Sequence, residues 1–284
     1  RLKLFCVNPA VNLGEYLKKG RSAVFFSATL LPMSYYRKLL SNRQDDYGIY
    51  VESPFSQKNR CILNAGDVSS LYSRRGYEEY HKIAEYIART VWQHQGNYMV
   101  FFPSYKMLEE VYAVYEEEFS VNWVKCICQN SSMKEQEREE FLQEFEQDQE
   151  SLVAFCIMGG IFSEGIDLLG EKLIGAILVG TGLPQLGNER EILRSFYSEN
   201  GENGFDYAYR YPGMNKVLQA AGRVIRTRED HGVILLLDER FRQREYSNLF
   251  PVEWNDRKTC TLSNVEAQLQ KFWESIPDKI SHKL

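Results

Sequence analysis

Gln219, Arg223 and Arg226, in the stretch Q-A-A-G-R-V-I-R over 219–226, are the residues whose types and spacing first suggest chemistry. At ~100° per residue the three side chains share one side of a helix, which would carry an amide and two guanidiniums. A guanidinium forks onto phosphate oxygens, and fixed beside a transferring phosphoryl group it stabilises the charge that develops there. Leu218, Ala221 and Ile225 form an apolar stripe next to that side, so the helix could dock on a core and aim its cations outward. Gly222 costs about 1 kcal/mol of helix propensity, which implies a neighbour packed too closely for a side chain. The plain alternative is a basic surface helix.

Other stretches place small or hydroxyl residues at strand ends. Ser27-Ala28-Thr29-Leu30 follows a short apolar run; it reads either as a loop whose hydroxyls reach backbone or phosphate, or as a simple turn before a helix starting after Pro32. Pro103-Ser104-Tyr105 sits where a strand gives way to a helix, and free backbone N–H groups at such a turn bind anions. Ser104 could equally be only the helix cap. Gly159-Gly160 ends a continuous apolar run and lets the backbone approach a ligand, and Glu164-Gly165-Ile166-Asp167 follows, by itself a turn signal. The strand at 232–237 runs into Asp238-Glu239, which imitates a magnesium-holding carboxylate. No G-x-x-x-x-G-K followed by Ser or Thr precedes it, so that reading is rejected.

Q-x-x-G-R-x-x-R resembles motif VI of superfamily 2 helicases, and its continuation into G-V-I-L-L-L-D-E-R-F resembles the XPD/DinG branch. S-A-T-L at 27–30 is similar to motif III, V-F-F-P-S-Y at 100–105 to motif IV and G-G-I-F-S-E-G-I-D-L-L-G at 159–170 to motif V, in the family's order, with S-P-F at 53–55 and L-P at 183–184 also fitting. The resemblance spans nearly the whole chain and implies the C-terminal motor domain of an ATP-dependent DNA helicase moving 5′ to 3′. It implies that Arg223, Arg226 and Gln219 act on ATP across a cleft. It puts Glu164, Gly165 and Asp167 at the nucleotide, Asp167 near the ribose hydroxyls and Glu164 linking nucleotide and DNA sites. Ser104, Tyr105, Gly159 and Ser163 would touch nucleic acid. The implied partners are single-stranded DNA and the N-terminal motor domain of the same protein, which would bind most of the ATP and Mg2+. In the family a 4Fe-4S cluster is held by cysteines of that first domain, and nothing here matches those ligands. The alternative reading is a non-catalytic nucleic-acid or protein interaction module on the same fold.

The elements that must position these residues alternate. Apolar runs at 60–64, 98–102, 124–128, 152–158, 173–180 and 232–237 read as strands, and helical spacing covers 77–95, a segment from 105 through Phe119, and one opened by a Ser132/Glu135 capping box and running to Phe145. Strands apolar throughout imply a parallel α/β sheet with helices on both faces, RecA-like by resemblance. Further short strands are expected at 2–7, 23–26 and 49–51, and tail helices at 241–250 and 263–276, with Phe272 and Trp273 anchoring the end. Residues 197–213 read as a mobile excursion whose Phe205, Tyr207, Tyr209 and Tyr211 either stack on bases or pack on the domain. The expected division is a junction at 1–32 and one domain at 33–284. A formal net charge of −5 argues against a globally basic nucleic-acid binder, so any DNA contact is a local groove. Six scattered cysteines and four dispersed histidines show no metal-ligand spacing, and no metal site is expected. Without an apolar run of ~18 residues or a signal peptide, a cytoplasmic location is expected. The chain begins at Arg1, not Met, and is expected to be a piece of a longer protein without ATPase activity of its own.

Overall fold

Strands buried on two sides need apolar residues at every position, and the computed structural model, which describes residues 3–41, 43, 45–147, 151–163, 168 and 170–277, shows where they are met. After α1 (Ala10–Leu17) and α2 (Met33–Leu40) come β1 (Arg60–Ala65), α3 (Tyr77–Val91), β2 (Asn97–Phe102), α4 (Tyr105–Glu118), β3 (Val124–Cys128), α5 (Glu135–Gln143), β4 (Ser151–Ile157), β5 (Gly175–Val179), α6 (Asn188–Glu199) and α7 (Tyr211–Ala221). The chain continues with β6 (Gly232–Leu237), α8 (Arg244–Ser247), β7 (Lys258–Cys260) and α9 (Val265–Ser275). The strands form one sheet in the order β3-β4-β2-β5-β6-β1-β7, with every pairing parallel.

Alternation within each strand makes two cores. Leu63, Val100, Phe155, Ile177 and Leu235 face α3, α4 and α9. Ile62, Phe101, Ala154, Leu178 and Leu236 face the other way, towards Phe141 of α5, Met214 and Val217 of α7, and Phe241 to Trp254. The expected parallel sheet with helices on both faces is therefore the observed fold. The edge strands β3 and β7 are only partly buried. Burial pushes the thiols of Cys126, Cys128 and Cys260 up to about 12, which leaves them protonated and unreactive.

Several expected elements differ. Residues 3–7, 23–26 and 49–51 form no strands, and Leu4, Val24, Phe26, Ile49 and Val51 are exposed. A strand is stable only against a ladder, and none of these segments pairs with β3 or β7, the edge strands of the sheet. Between the first two segments the chain forms α1, with Gly14 inside it. The Ser132 amide and hydroxyl turn to Asn130 Oδ1 instead of capping α5, which starts at Glu135 with the Glu137 carboxylate accepting the Lys134 amide at 2.6 Å. The 197–213 excursion is ordered: α6 leads through Gly201 into a π-turn over Asp206–Arg210 that is continuous with α7. Tyr207 stacks on Tyr197 at 4.1 Å and meets Tyr35 of α2 at 5.2 Å, so these rings pack inward and are not available to bases. Residues 241–250 make a 3-10 turn and the short α8, whereas α9 forms as expected and Trp273 stacks on His94 at 4.0 Å. No helix among the described residues is long and apolar enough to cross a membrane.

Candidate functional site

Because every pairing is parallel, the loops that follow the strands share one edge of the sheet. β2 and β4 are neighbours, which brings the Pro103-Ser104-Tyr105 turn beside Gly159. Ser104 Oγ accepts the Met107 amide at 3.3 Å, so it caps α4. Tyr105 is tied to the β4 end by Gln129, a residue that motif spacing does not flag. Gln129 Nε2 donates to the Tyr105 hydroxyl at 3.1 Å, its Oε1 accepts the Ile157 amide at 2.9 Å, and its own amide reaches the Phe155 carbonyl at 2.8 Å. One buried amide side chain thus fixes both turns together.

Gly159 is in the left-handed region, φ +72°, and a Cβ there would lie 2.7 Å from Lys216 Cδ. The Lys216 stem of α7 therefore runs across Gly159. Lys216 was also missed from sequence, although it sits one turn before Gln219. The loop then folds down over the sheet face: Phe162 stacks on Phe141 at 4.2 Å, and the Ser163 amide and hydroxyl both donate to the Gly160 carbonyl, at 3.0 and 2.8 Å. The expectation that Ser163 touches nucleic acid is corrected: the residue is fully buried, and its hydroxyl is turned into its own loop.

The expectation that Gln219, Arg223 and Arg226 share one helical face is corrected. Gln219 belongs to α7, but the helix ends at Ala221 with Gly222 as its cap, and Arg223 and Arg226 lie in the following loop. The cause is Asp230. Its buried carboxylate accepts the amides of Arg226 and Thr227, each at 2.7 Å, and the Thr227 hydroxyl at 2.6 Å, so the chain wraps around an acid instead of continuing the helix. Arg223 nonetheless reaches the motif V loop: Nη2 and Nε donate to the Ser163 carbonyl at 2.9 and 3.3 Å. Met99, Phe162, Leu168 and Leu173 line the hollow beside it. Arg226 is exposed. Glu164, Gly165 and Asp167 lie outside the described residues.

Two further loops complete the edge. After β5, Gly182 has φ +66°, and a Cβ there would meet the Gly213 carbonyl oxygen at 2.5 Å; this contact seats the start of α7 on the end of β5. After β6, Asp238 is fully buried. It accepts Ser70 N (2.9 Å) and Oγ (2.7 Å), and Arg240 N (2.9 Å), Nε (2.8 Å) and Nη2 (2.9 Å). Burial raises its carboxyl, but the hydrogen bonds and charge of Arg240, with Ser70, outweigh that and hold it below the ordinary value. With its lone pairs used in this way, Asp238 does not fit a magnesium ligand, and among the described residues no group of three or more His, Cys, Asp or Glu could hold a metal ion.

The comparisons with known proteins agree with this arrangement. The helicase C-terminal domain family matches residues 87–257, more than half of the chain. The Regulator of telomere elongation helicase 1 homolog of Culex quinquefasciatus is 27% identical over 96% of this chain and 30% of its own length, and that of Aedes aegypti is 28% identical with the same coverage. The chain thus spans about 30% of the length of these relatives. A solved XPD helicase is similar in fold, with a TM-score of 0.64 at 21% identity, covering 89% of this chain and 45% of that one. Xpd4 of S. tokodaii superposes with a TM-score of 0.52 at 18% identity, covering 77% and 41%. The chain belongs to the helicase C-terminal domain family.

Proposed function

We propose that this chain is the C-terminal half of an ATP-dependent DNA helicase that travels 5′ to 3′ on a single strand. ATP and Mg2+ are held mainly by a preceding motor domain, and Arg223, with Arg226 and Gln219, acts on the phosphates across the cleft. Glu164, Gly165 and Asp167 are the proposed nucleotide-binding residues, while the turn at Ser104 and Tyr105 and the backbone at Gly159 follow the DNA. The observation that carries this reading is the Arg223 guanidinium on the Ser163 carbonyl, which joins the motif VI stretch to the motif V loop. A cation held beside that loop can stabilise charge on a transferring phosphoryl group, and the same loop leads back to Gly159 at the strand ends, so phosphate chemistry and strand contact share one segment.

The test is Arg223→Ala in the full-length protein. An arginine acting on the transferring phosphoryl is worth ~10³ to 10⁵ in rate, so ATP turnover is expected to fall at least ~10³-fold while single-strand affinity is kept. Unchanged turnover would refute the assignment of Arg223. A full-length protein with no ATPase activity of its own would point instead to a non-catalytic interaction module on this fold.

A further inference from the structure

Tyr72 is 86% exposed, yet the loop that carries it is tied down before and after the ring. The Ser69 amide donates to the buried Glu79 carboxylate at 2.8 Å, Ser70 is bound twice to Asp238, and the Arg74 amide closes a turn onto the Leu71 carbonyl at 3.0 Å. Arg74 itself is drawn back to Glu79 at 2.6 Å. An aromatic ring left on a flexible loop loses much of its binding to ordering; a ring on a pinned loop has already met that cost. Arg75 lies over the Tyr72 ring, 5.5 Å from its centroid, and the Arg242 guanidinium occupies the space above Gly66, where β1 ends. Arg242 and Arg244 are both exposed.

This cluster is continuous with the motif IV turn. A Cβ added at Gly180, after β5, would lie 2.4 Å from Ser70 Oγ and 3.8 Å from Pro103 Cγ, so the two loops meet over this glycine. From β2 to β1 across β5 and β6 is three strand spacings, ~14 Å, a distance that a few nucleotides of single strand can span. Cations beside an exposed aromatic face are what a sequence-independent single-strand track needs, because every base has a face to stack and every nucleotide a phosphate to neutralise.

We propose that Tyr72, with Arg75 and Arg242, is a second contact for the single strand, Tyr72 stacking on a base and the two guanidiniums neutralising phosphates. This rests on the helicase reading above and extends its DNA path beyond Ser104 and Tyr105 to the ends of β1 and β6.

The test uses full-length protein and a fluorescently labelled thymidine oligonucleotide, with affinity measured across a salt series. Tyr72→Ala is expected to weaken binding about tenfold, whereas Tyr72→Phe and Tyr72→Trp retain it. On an abasic oligonucleotide of the same length, Tyr72→Ala and the unsubstituted protein are expected to bind alike, since no base remains to stack. Arg75→Gln and Arg242→Gln are each expected to flatten the slope of log affinity against log salt by about one. If the unsubstituted protein binds the oligonucleotide and Tyr72→Ala binds it equally well, or loses as much on the abasic strand, this inference fails alone. If the unsubstituted protein does not bind, the helicase reading fails and takes this one with it.

Discussion

The loops after β4 and β6 each bring an arginine onto a buried oxygen, and the two arrangements do different things. After β6, Arg240 sits two residues from Asp238 and grips a fully buried carboxylate with Nε and Nη2, while Ser70 closes the remaining positions. That network is charged and saturated, ties the loop after β1 to the loop after β6 through Ser70, and offers nothing to a ligand. After β4, the Ser163 carbonyl meets Arg223 from 60 positions further along the chain, across the face of the sheet. That contact joins two loops carrying different motifs. An acid at the end of an apolar strand looks more catalytic in a sequence than a serine carbonyl does, yet here the acid rivets two loops and the carbonyl is where Arg223, the proposed phosphate-binding residue, is held.

The largest effect that tests this contrast is on stability. Asp238→Ala leaves the Arg240 charge without its carboxylate, and breaking a buried pair from one side costs about 3 to 5 kcal/mol, read as a lower Tm or denaturation midpoint. Replacing both residues by leucine is expected to recover most of that loss, because no unpaired charge stays behind; a double variant as unstable as Asp238→Ala would show that the pair is not the cause. The same network predicts a pH dependence. The Asp238 carboxyl is held below its ordinary 3.8, so its contribution is present above that value and is lost as pH falls from there through the lower folded value. Asp238→Asn should remove this part of the acid-side decline, and an unchanged decline would assign it to other groups.

Next in size is Gly182→Ala. A left-handed backbone with a new Cβ against the Gly213 carbonyl costs about 2 kcal/mol or more. This strain falls where α7 is seated, on the Arg223 side of the contrast. ATP turnover of the full-length protein is therefore expected to drop by more than the stability loss explains, whereas Asp238→Asn lowers turnover only as far as it lowers the folded fraction. Equal behaviour of the two variants would erase the distinction between the loops.

What could be read beforehand divides into what neighbours in the sequence settle and what only the fold brings together. The central strands are apolar at every position because helices cover both faces, so Leu152 to Ile157 and Gly232 to Leu237 were legible from composition alone. The runs at 23–26 and 49–51 have similar residues but no ladder to join, and a local pattern carries no information about who the neighbour is. The end of α7 was misplaced for a related reason. The stripe Leu218, Ala221, Ile225 suits a helix, but Asp230 captures the amides of Arg226 and Thr227, and that competition is settled by a buried carboxylate met only in the fold. Gln129 and Lys216 were missed because a lone amide at a strand end and a lysine on a helix mean little until the Tyr105 turn and Gly159 are seen beside them.

Ser104 gives the smallest and most discriminating test, because it stands on the strand-end edge with two possible roles. Its hydroxyl caps α4 by accepting the Met107 amide, and the resemblance also makes it a nucleic-acid contact. Losing a serine cap to alanine costs about 1 kcal/mol, but to glycine only a few tenths, since glycine lets water reach the freed amide. Ser104→Gly therefore removes the hydroxyl with little disturbance of the helix. If the hydroxyl touches DNA, Ser104→Gly and Ser104→Ala should weaken single-strand binding equally while differing in Tm. If the cap is its whole role, binding should be unchanged in Ser104→Gly, and the DNA contact at this turn would pass to the backbone and to Tyr105, which Gln129 holds in place whatever residue 104 is.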